Sequence, residues 1–391
     1  MADDRHSFTR SELGPVLMVS LIISLRLLGI FLMLPVFSVF AVRYPGATLP
    51  LAGIAFGVYP LTQSFLQIPL GWASDRWGRK PLILFGLLLF TVGSLICGFA
   101  RDIVELIVAR AIQGSGAIAS VALAALADLT RPSVRAQAFT VTGIVIGATF
   151  MLGLLSGPVL AARIGFNEMF YLLAFMGVIA MLITGLFFPS MTPPKQESLG
   201  SGLRAVLQNR ELRLIYLASF VLSFTLNMFF FVYPLSWTEL GLQKSELWKV
   251  YLIIFFPSVL LGFPSVRYAE KRGRLWLLSR ISWLLIAVGY LAYLVGATQE
   301  WLLYISGGTF FIGYTLFQPL LPSFLTQRVA LQGRGAATGC YNFSGFLGAA
   351  LGGMLGGILS HVAYSLPQAV GLVLLVAWWL RGLPNPPDSP L

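Results

Sequence analysis

Residues 71–81 read GWASDRWGRKP and hold Asp75, Arg76, Arg79 and Lys80 within eleven positions, with Gly71, Gly78 and Pro81 among them. On either side the chain is almost wholly apolar for about twenty residues, the length that an α-helix needs to cross a bilayer. A cluster of charge between two such stretches reads as a very short water-exposed connection. The charges have two readings. They are a basic loop that sets membrane orientation, or a latch in which Asp75 meets the N-terminal end of a neighbouring helix and Arg79 bridges to a second carboxylate. On the latch reading, Gly71 and Gly78 remove side chains so that another helix approaches closely.

Composition supports the membrane setting. Of 391 residues, 57% are hydrophobic and 10% charged, and the mean hydropathy is +0.83. A soluble domain carries about 25% charged residues. Apolar stretches fall near 15–41, 51–71, 81–99, 104–126, 138–161 and 168–189, then near 214–236, 247–266, 275–297, 301–325, 338–360 and 366–381. The chain is therefore expected to be an all-α membrane protein with twelve transmembrane helices. Residues 1–190 and 214–383 are expected to form two six-helix bundles. Residues 191–213 read as a cytoplasmic linker and 384–391 as a disordered tail.

With both termini on one side, nineteen Lys and Arg residues fall on that side and five on the other, while Arg26 and Arg110 lie inside spans. The positive-inside rule then puts both termini in the cytoplasm of a multi-pass inner-membrane protein. The same rule accounts for the net charge of +11 without nucleic acid as a partner. The polar N-terminus lacks a small-residue cleavage site, so the first span is expected to be retained. Cys97 and Cys340 form no disulfide framework or metal spacing, and no metal or cofactor is expected. HExxH, GxSxG and Walker signatures are absent, which argues against an enzyme and against ATP as a partner.

The two halves repeat. Pro35 corresponds to Pro234, Pro60 to Pro257, and Asp75, Gly78 and Arg79 to Glu270, Gly273 and Arg274 in YAEKRGR. Arg135, Gly153 and Gly157 correspond to Arg334, Gly352 and Gly356. Weak internal similarity of this kind marks many transporter folds, whose site lies between the repeats near the midplane.

These features carry a resemblance. GWASDRWGRKP resembles the loop-two signature of the major facilitator superfamily. RAIQGSGA (110–117) resembles its fourth-helix motif. GLLSGPVLAA (153–162) resembles its fifth-helix antiporter motif, with Ala161 and Ala162 where two glycines are usual. SLRLLGIFLMLPVF (24–37) is similar to the YajR-like branch of the family's drug–proton antiporters. The resemblance implies the major facilitator fold, with two pseudo-symmetric six-helix bundles. It implies that Asp75 faces the start of the eleventh helix near Gly335–Thr338, and that Arg79 pairs with Asp128. The triad Asp75, Arg79 and Asp128 would close the outward-facing state.

Inside the bilayer, Arg26 lies roughly 17 Å into the first span. A central Arg faces a bundle interior and costs about 2.5–3.5 kcal/mol on insertion scales. It is either a substrate or coupling contact or a structural group bonded to carbonyls. Arg110 and Gln113 share one helix face, and the resemblance links that Arg to proton coupling or cavity polarity. Gly153, Gly157 and Pro158 are expected to pack the fifth helix, as Gly348, Gly352 and Gly356 pack the eleventh, with Pro158 bending its helix. The aromatic runs at 220–237 and 308–319 are expected mostly to face lipid or pack helices, while Asn227 and Gln318 with a few rings line an amphipathic cavity. No Asp or Glu falls at a span centre, so Asp128 is the best candidate proton carrier. The resulting expectation is a monomeric secondary transporter working by alternating access, with a small-molecule substrate and protons as partners. It would export hydrophobic or amphipathic compounds. The alternatives are an uptake carrier or uniporter for an anionic metabolite and a non-transporting membrane scaffold.

Overall fold

The computed structural model describes residues 8–131, 133–189, 208–329 and 334–382, and among these there are helices and no strands. The first half runs α1 (Arg10–Met33), α2 (Phe37–Ala41), α3 (Leu49–Trp77), α4 (Arg79–Phe99), α5 (Ile103–Gly114), α6 (Ala119–Asp128), α7 (Arg135–Ile164) and α8 (Phe166–Phe187). The second runs α9 (Arg210–Glu239), α10 (Leu247–Lys271), α11 (Leu275–Gly296), α12 (Glu300–Phe317), α13 (Leu320–Arg328), α14 (Arg334–Val362) and α15 (Leu366–Arg381). Among the described residues, ten helical segments are long and apolar enough to cross a membrane, the fourth of them being α5 and α6 together. The tenth expected span is α12 and α13, interrupted at Gln318 and Pro319, and the twelfth is the sixteen-residue α15. Most of the expected linker and the whole of the expected tail lie outside the described residues, and α9 begins at Arg210, inside the range assigned to the linker.

The interruptions follow from local chemistry. The first expected span, 15–41, divides at Leu34–Val36 around Pro35, which offers no backbone donor. The fourth divides over 115–118, where Gly114, Ser115 and Gly116 stand in succession and lower helix propensity.

Exposure is inverted relative to a soluble fold. On α4, Phe85, Leu88, Val92, Leu95 and Phe99 are all exposed and share one face, while Ile83, Leu87, Phe90 and Cys97 on the other are buried. An exposed apolar stripe at helical spacing is stable where lipid is the solvent.

Two compact units result: residues 1–36 with 62–197, and residues 37–61 with 198–391. In the first, α1 lies against the glycine face of α7. A Cβ added at Gly153 would meet Phe31 Cβ at 2.6 Å, and one at Gly157 would meet the Leu32 carbonyl at 2.2 Å. In the second, α9 lies against α14 in the same way, with Gly348 against the Phe220 carbonyl and Gly352 against that of Phe224. The early part of α3 belongs to this second unit through Gly53, whose added Cβ would lie 2.8 Å from Gly357 Cα. Lys244 Nζ ties α2 to the same unit with a 3.1 Å hydrogen bond to the Val39 carbonyl.

The aromatic run of α9 packs between helices. Phe229, Phe230, Phe231, Tyr233 and Trp237 are all buried, and Phe229 stacks on Phe310 of α12 with centroids 4.4 Å apart. Tyr233 and Tyr290 donate their hydroxyls to the carbonyls of Leu303 and Thr225.

Candidate functional site: the charged turn and the buried arginines

The connection between α3 and α4 is one residue long. Gly78 has φ +93° and ψ +157°, a region that only glycine enters without strain, and it turns the chain directly into Arg79. This glycine is needed for the turn. At Gly71 an added Cβ would meet only Ser120 Oγ, at an ordinary 3.6 Å, so tight packing is not required there.

The turn delivers Arg79 into a buried position, 7% exposed. Its Nε donates to Asp128 Oδ2 at 3.0 Å, and its Nη1 lies 2.5 Å from Asp75 Oδ1 and donates to Ser74 Oγ at 2.5 Å. One guanidinium thus joins the end of α3, the start of α4 and the end of α6. Its fork geometry lets it serve two carboxylates in different directions, which a lysine cannot do. Ser74, absent from the sequence reading, is held in turn by its bond to the Gly71 carbonyl at 2.6 Å. Lys80 reads in the sequence only as one charge of the cluster, with no partner indicated. Its Nζ donates to the carbonyls of Gly185 and Phe188, capping the negative end of α8. In the second unit Gly273 repeats the positive-φ turn at +62°, but among the described residues Arg274 forms no ion pair. Gly335, the first residue of the stretch expected to face Asp75, has a side-chain environment outside the described residues.

A second clasp joins α1 to the end of the fourth span. Glu12 accepts from Arg131 Nε at 2.8 Å and Nη2 at 2.9 Å, and from Thr9 at the head of α1. These bonds raise the Arg131 guanidinium further above its already high range. No sequence motif marks this pair, since one partner stands in the polar N-terminal approach to the first span.

Both intramembrane arginines are buried in the first unit, Arg26 at 2% and Arg110 at 4% exposed. Arg110 Nη1 donates to Gln113 Oε1 at 2.6 Å, as the i,i+3 spacing predicts. Gln113 Nε2 donates to Ser94 Oγ at 2.8 Å, and Ser94 donates to the Phe90 carbonyl. Arg26 approaches the same residue from α1, its Cζ 5.9 Å from the Phe90 ring centroid. The two arginines therefore converge on one turn of α4. Asn227, in the other unit, bonds the carbonyl of Ser223 on its own helix. Gly153, Gly157 and Pro158 lie on α7, which runs unbroken through Pro158. Among the described residues no group of His, Cys, Asp and Glu could hold a metal ion.

The chain matches the Major Facilitator Superfamily over residues 19–231 and 215–391. It is 35% identical to the inner membrane transport protein YajR of Escherichia coli K12 over 367 residues, covering 92% of this chain and 80% of that one. It is 26% identical to the multidrug resistance protein MdtH of Aeromonas salmonicida, covering 89% of this chain and 87% of that one. Its fold matches the human organic anion transporter MFSD10 with a TM-score of 0.72 at 19% identity, covering 95% and 99% of the two chains. A bacterial homologue of the human lysosomal transporter Spinster matches with a TM-score of 0.73 at 15% identity, covering 95% and 96%.

Proposed function

Because the chain belongs to the major facilitator superfamily and is a multi-pass membrane transporter rather than an enzyme, we propose that it works by alternating access. It exports small hydrophobic or amphipathic compounds in exchange for protons, as a monomer in the cytoplasmic membrane with both termini inside. The observation that carries this reading is Arg79, a buried guanidinium bridging Asp75 and Asp128 at the turn between α3 and α4. Hydrogen bonds to charged groups contribute about 1.5–3 kcal/mol each, less where one partner is exposed. A clasp of that size holds one conformation and still breaks thermally. Asp128 is the proposed proton carrier, because protonation would cancel its attraction for Arg79 and loosen the clasp. The direction of transport follows the name of the MdtH relative, multidrug resistance.

The test is transport of radiolabelled chloramphenicol, an uncharged amphiphile, in proteoliposomes under an imposed pH gradient. Wild-type protein should accumulate the compound against its gradient, and Asp75→Asn should insert normally yet lose that accumulation. A variant that is inserted and fully active would leave the clasp without a role, and no accumulation by the wild type would favour a scaffold.

One observation favours a second reading. Arg26 and Arg110 place two buried guanidinium groups in the same unit. A carrier for an anionic metabolite would use Arg110 or Arg26 to hold the anion. It would show saturable anion flux that a pH gradient does not drive uphill.

A further inference from the structure

Gln63 and Gln67 lie four residues apart on α3, so their side chains share one face of the helix. They are 0% and 1% exposed, and all four of their carboxamide atoms lack a hydrogen-bond partner among the described residues. Gln113 in the same unit is the contrast, since its buried amide accepts from Arg110 and donates to Ser94. A buried amide left unpaired opposes the conformation that buries it. Two adjacent ones on one helix face call for partners that arrive in another conformation or with another molecule.

The surroundings favour a molecule. Ser120, the second residue of α6, donates to the Gln67 carbonyl at 3.2 Å, which brings this turn of α3 beside the interrupted part of the fourth span. Irregular backbone at membrane depth is tolerated where it is buried in protein or lines a cavity, and interrupted helices build the binding sites of many transporters. Two carboxamides offer donors and acceptors in equal number. A carboxylate would leave both oxygens facing negative charge, and an ammonium would leave both amino groups unmatched.

We infer that Gln63 and Gln67 form the polar end of the substrate site, specific for an uncharged amphiphile whose head both donates and accepts hydrogen bonds, such as a primary carboxamide. This deepens the transporter reading and rests on it. Neither side chain presents surface in the conformation described, so the site opens only when α3 moves. Substrate binding then stabilises the opened conformation by supplying the missing bonds, because a ligand shifts a population only through its differential affinity for the two states.

The experiment uses the purified full-length chain and two probes with one ring system, 1-naphthaleneacetamide and its N,N-dimethyl analogue, which lacks the N–H donors. Thermal unfolding should show saturable stabilisation of wild type by the primary amide, with an apparent affinity at least tenfold better than that of the dimethyl compound. Gln63→Met/Gln67→Met should lose that discrimination while its own melting temperature stays level or rises. Should the double variant not fold, each single Gln→Met variant is read the same way. Equal binding of both probes by wild type, no saturable binding at millimolar amide, or discrimination surviving in the variants would overturn the inference. Chloramphenicol accumulation under a pH gradient is measured alongside: its absence in wild type refutes proton-driven export, whereas its presence without amide discrimination refutes only the glutamine site.

Discussion

Arg131 closes on Glu12, and 199 residues beyond Glu12 its counterpart Glu211 is closed on by Arg328, Nε to Oε2 at 2.7 Å. Each pair joins the first helix of its half to the end of the fourth. The polarity of burial is reversed between them. In the first pair the carboxylate is sheltered, with its side chain 9% exposed against 45% for Arg131. In the second the guanidinium is sheltered, 11% against 66% for Glu211. Removing the exposed partner strands a sheltered charge, which destabilises more than removing the sheltered one. Thermal unfolding in detergent should therefore rank Arg131→Ala below Glu12→Gln, and Glu211→Ala below Arg328→Met.

Arg79→Lys keeps the charge but cannot reach Asp75 and Asp128 in two directions from one planar group. Losing one charge-assisted bond weakens the clasp by about 1.5–3 kcal/mol. Initial rates in proteoliposomes should fall at least tenfold, with insertion unchanged by protease protection. A lysine variant at full rate would remove the clasp from the transport cycle.

Gly78→Ala places a Cβ on a backbone held at φ +93°. The strain costs about 1–3 kcal/mol and should lower the melting temperature by several degrees. Gly71→Ala, whose Cβ meets nothing closer than 3.6 Å, should melt with wild type.

The glycine faces offer a matched contrast. Gly157→Ala would press a methyl to 2.2 Å from the Leu32 carbonyl, and Gly352→Ala would press one to 2.1 Å from that of Phe224. Overpacking of this kind costs about 1–3 kcal/mol. Gly147 lies on the same helix as Gly157 with nothing within 4 Å. Gly147→Ala should be neutral or stabilise by about 0.5–1 kcal/mol. Melting curves of the three variants check the pattern.

Much of this architecture can be read from residue order, because spans and repeats are local signals. Twenty apolar residues announce a helix, and the recurrence of Pro35 as Pro234 and Gly153 as Gly352 announces the doubling. The Arg110–Gln113 pair is equally local, since one helix carries both residues. What could not be read is partner choice at long range. Nothing adjacent to Lys80 says that it caps a helix ending a hundred residues later. Glu12 and Arg131 stand in unremarkable polar text. Gln63 and Gln67 read as ordinary polar residues in an apolar span, and only the packing shows that their amides are left unmatched. The positive φ of the turn glycine was not legible either, since the letter G carries no mark of it.

The gap at 115–118 separates Arg110 from Asp128 mechanically. An unbroken rod would transmit any tilt of one end to the other. Here the segment Ala119–Asp128 is jointed to Ile103–Gly114 like a forearm at an elbow. Its acidic tip can swing while the Arg110–Gln113–Ser94 chain stays seated on α4, so release of the clasp need not disturb the polar centre of the unit.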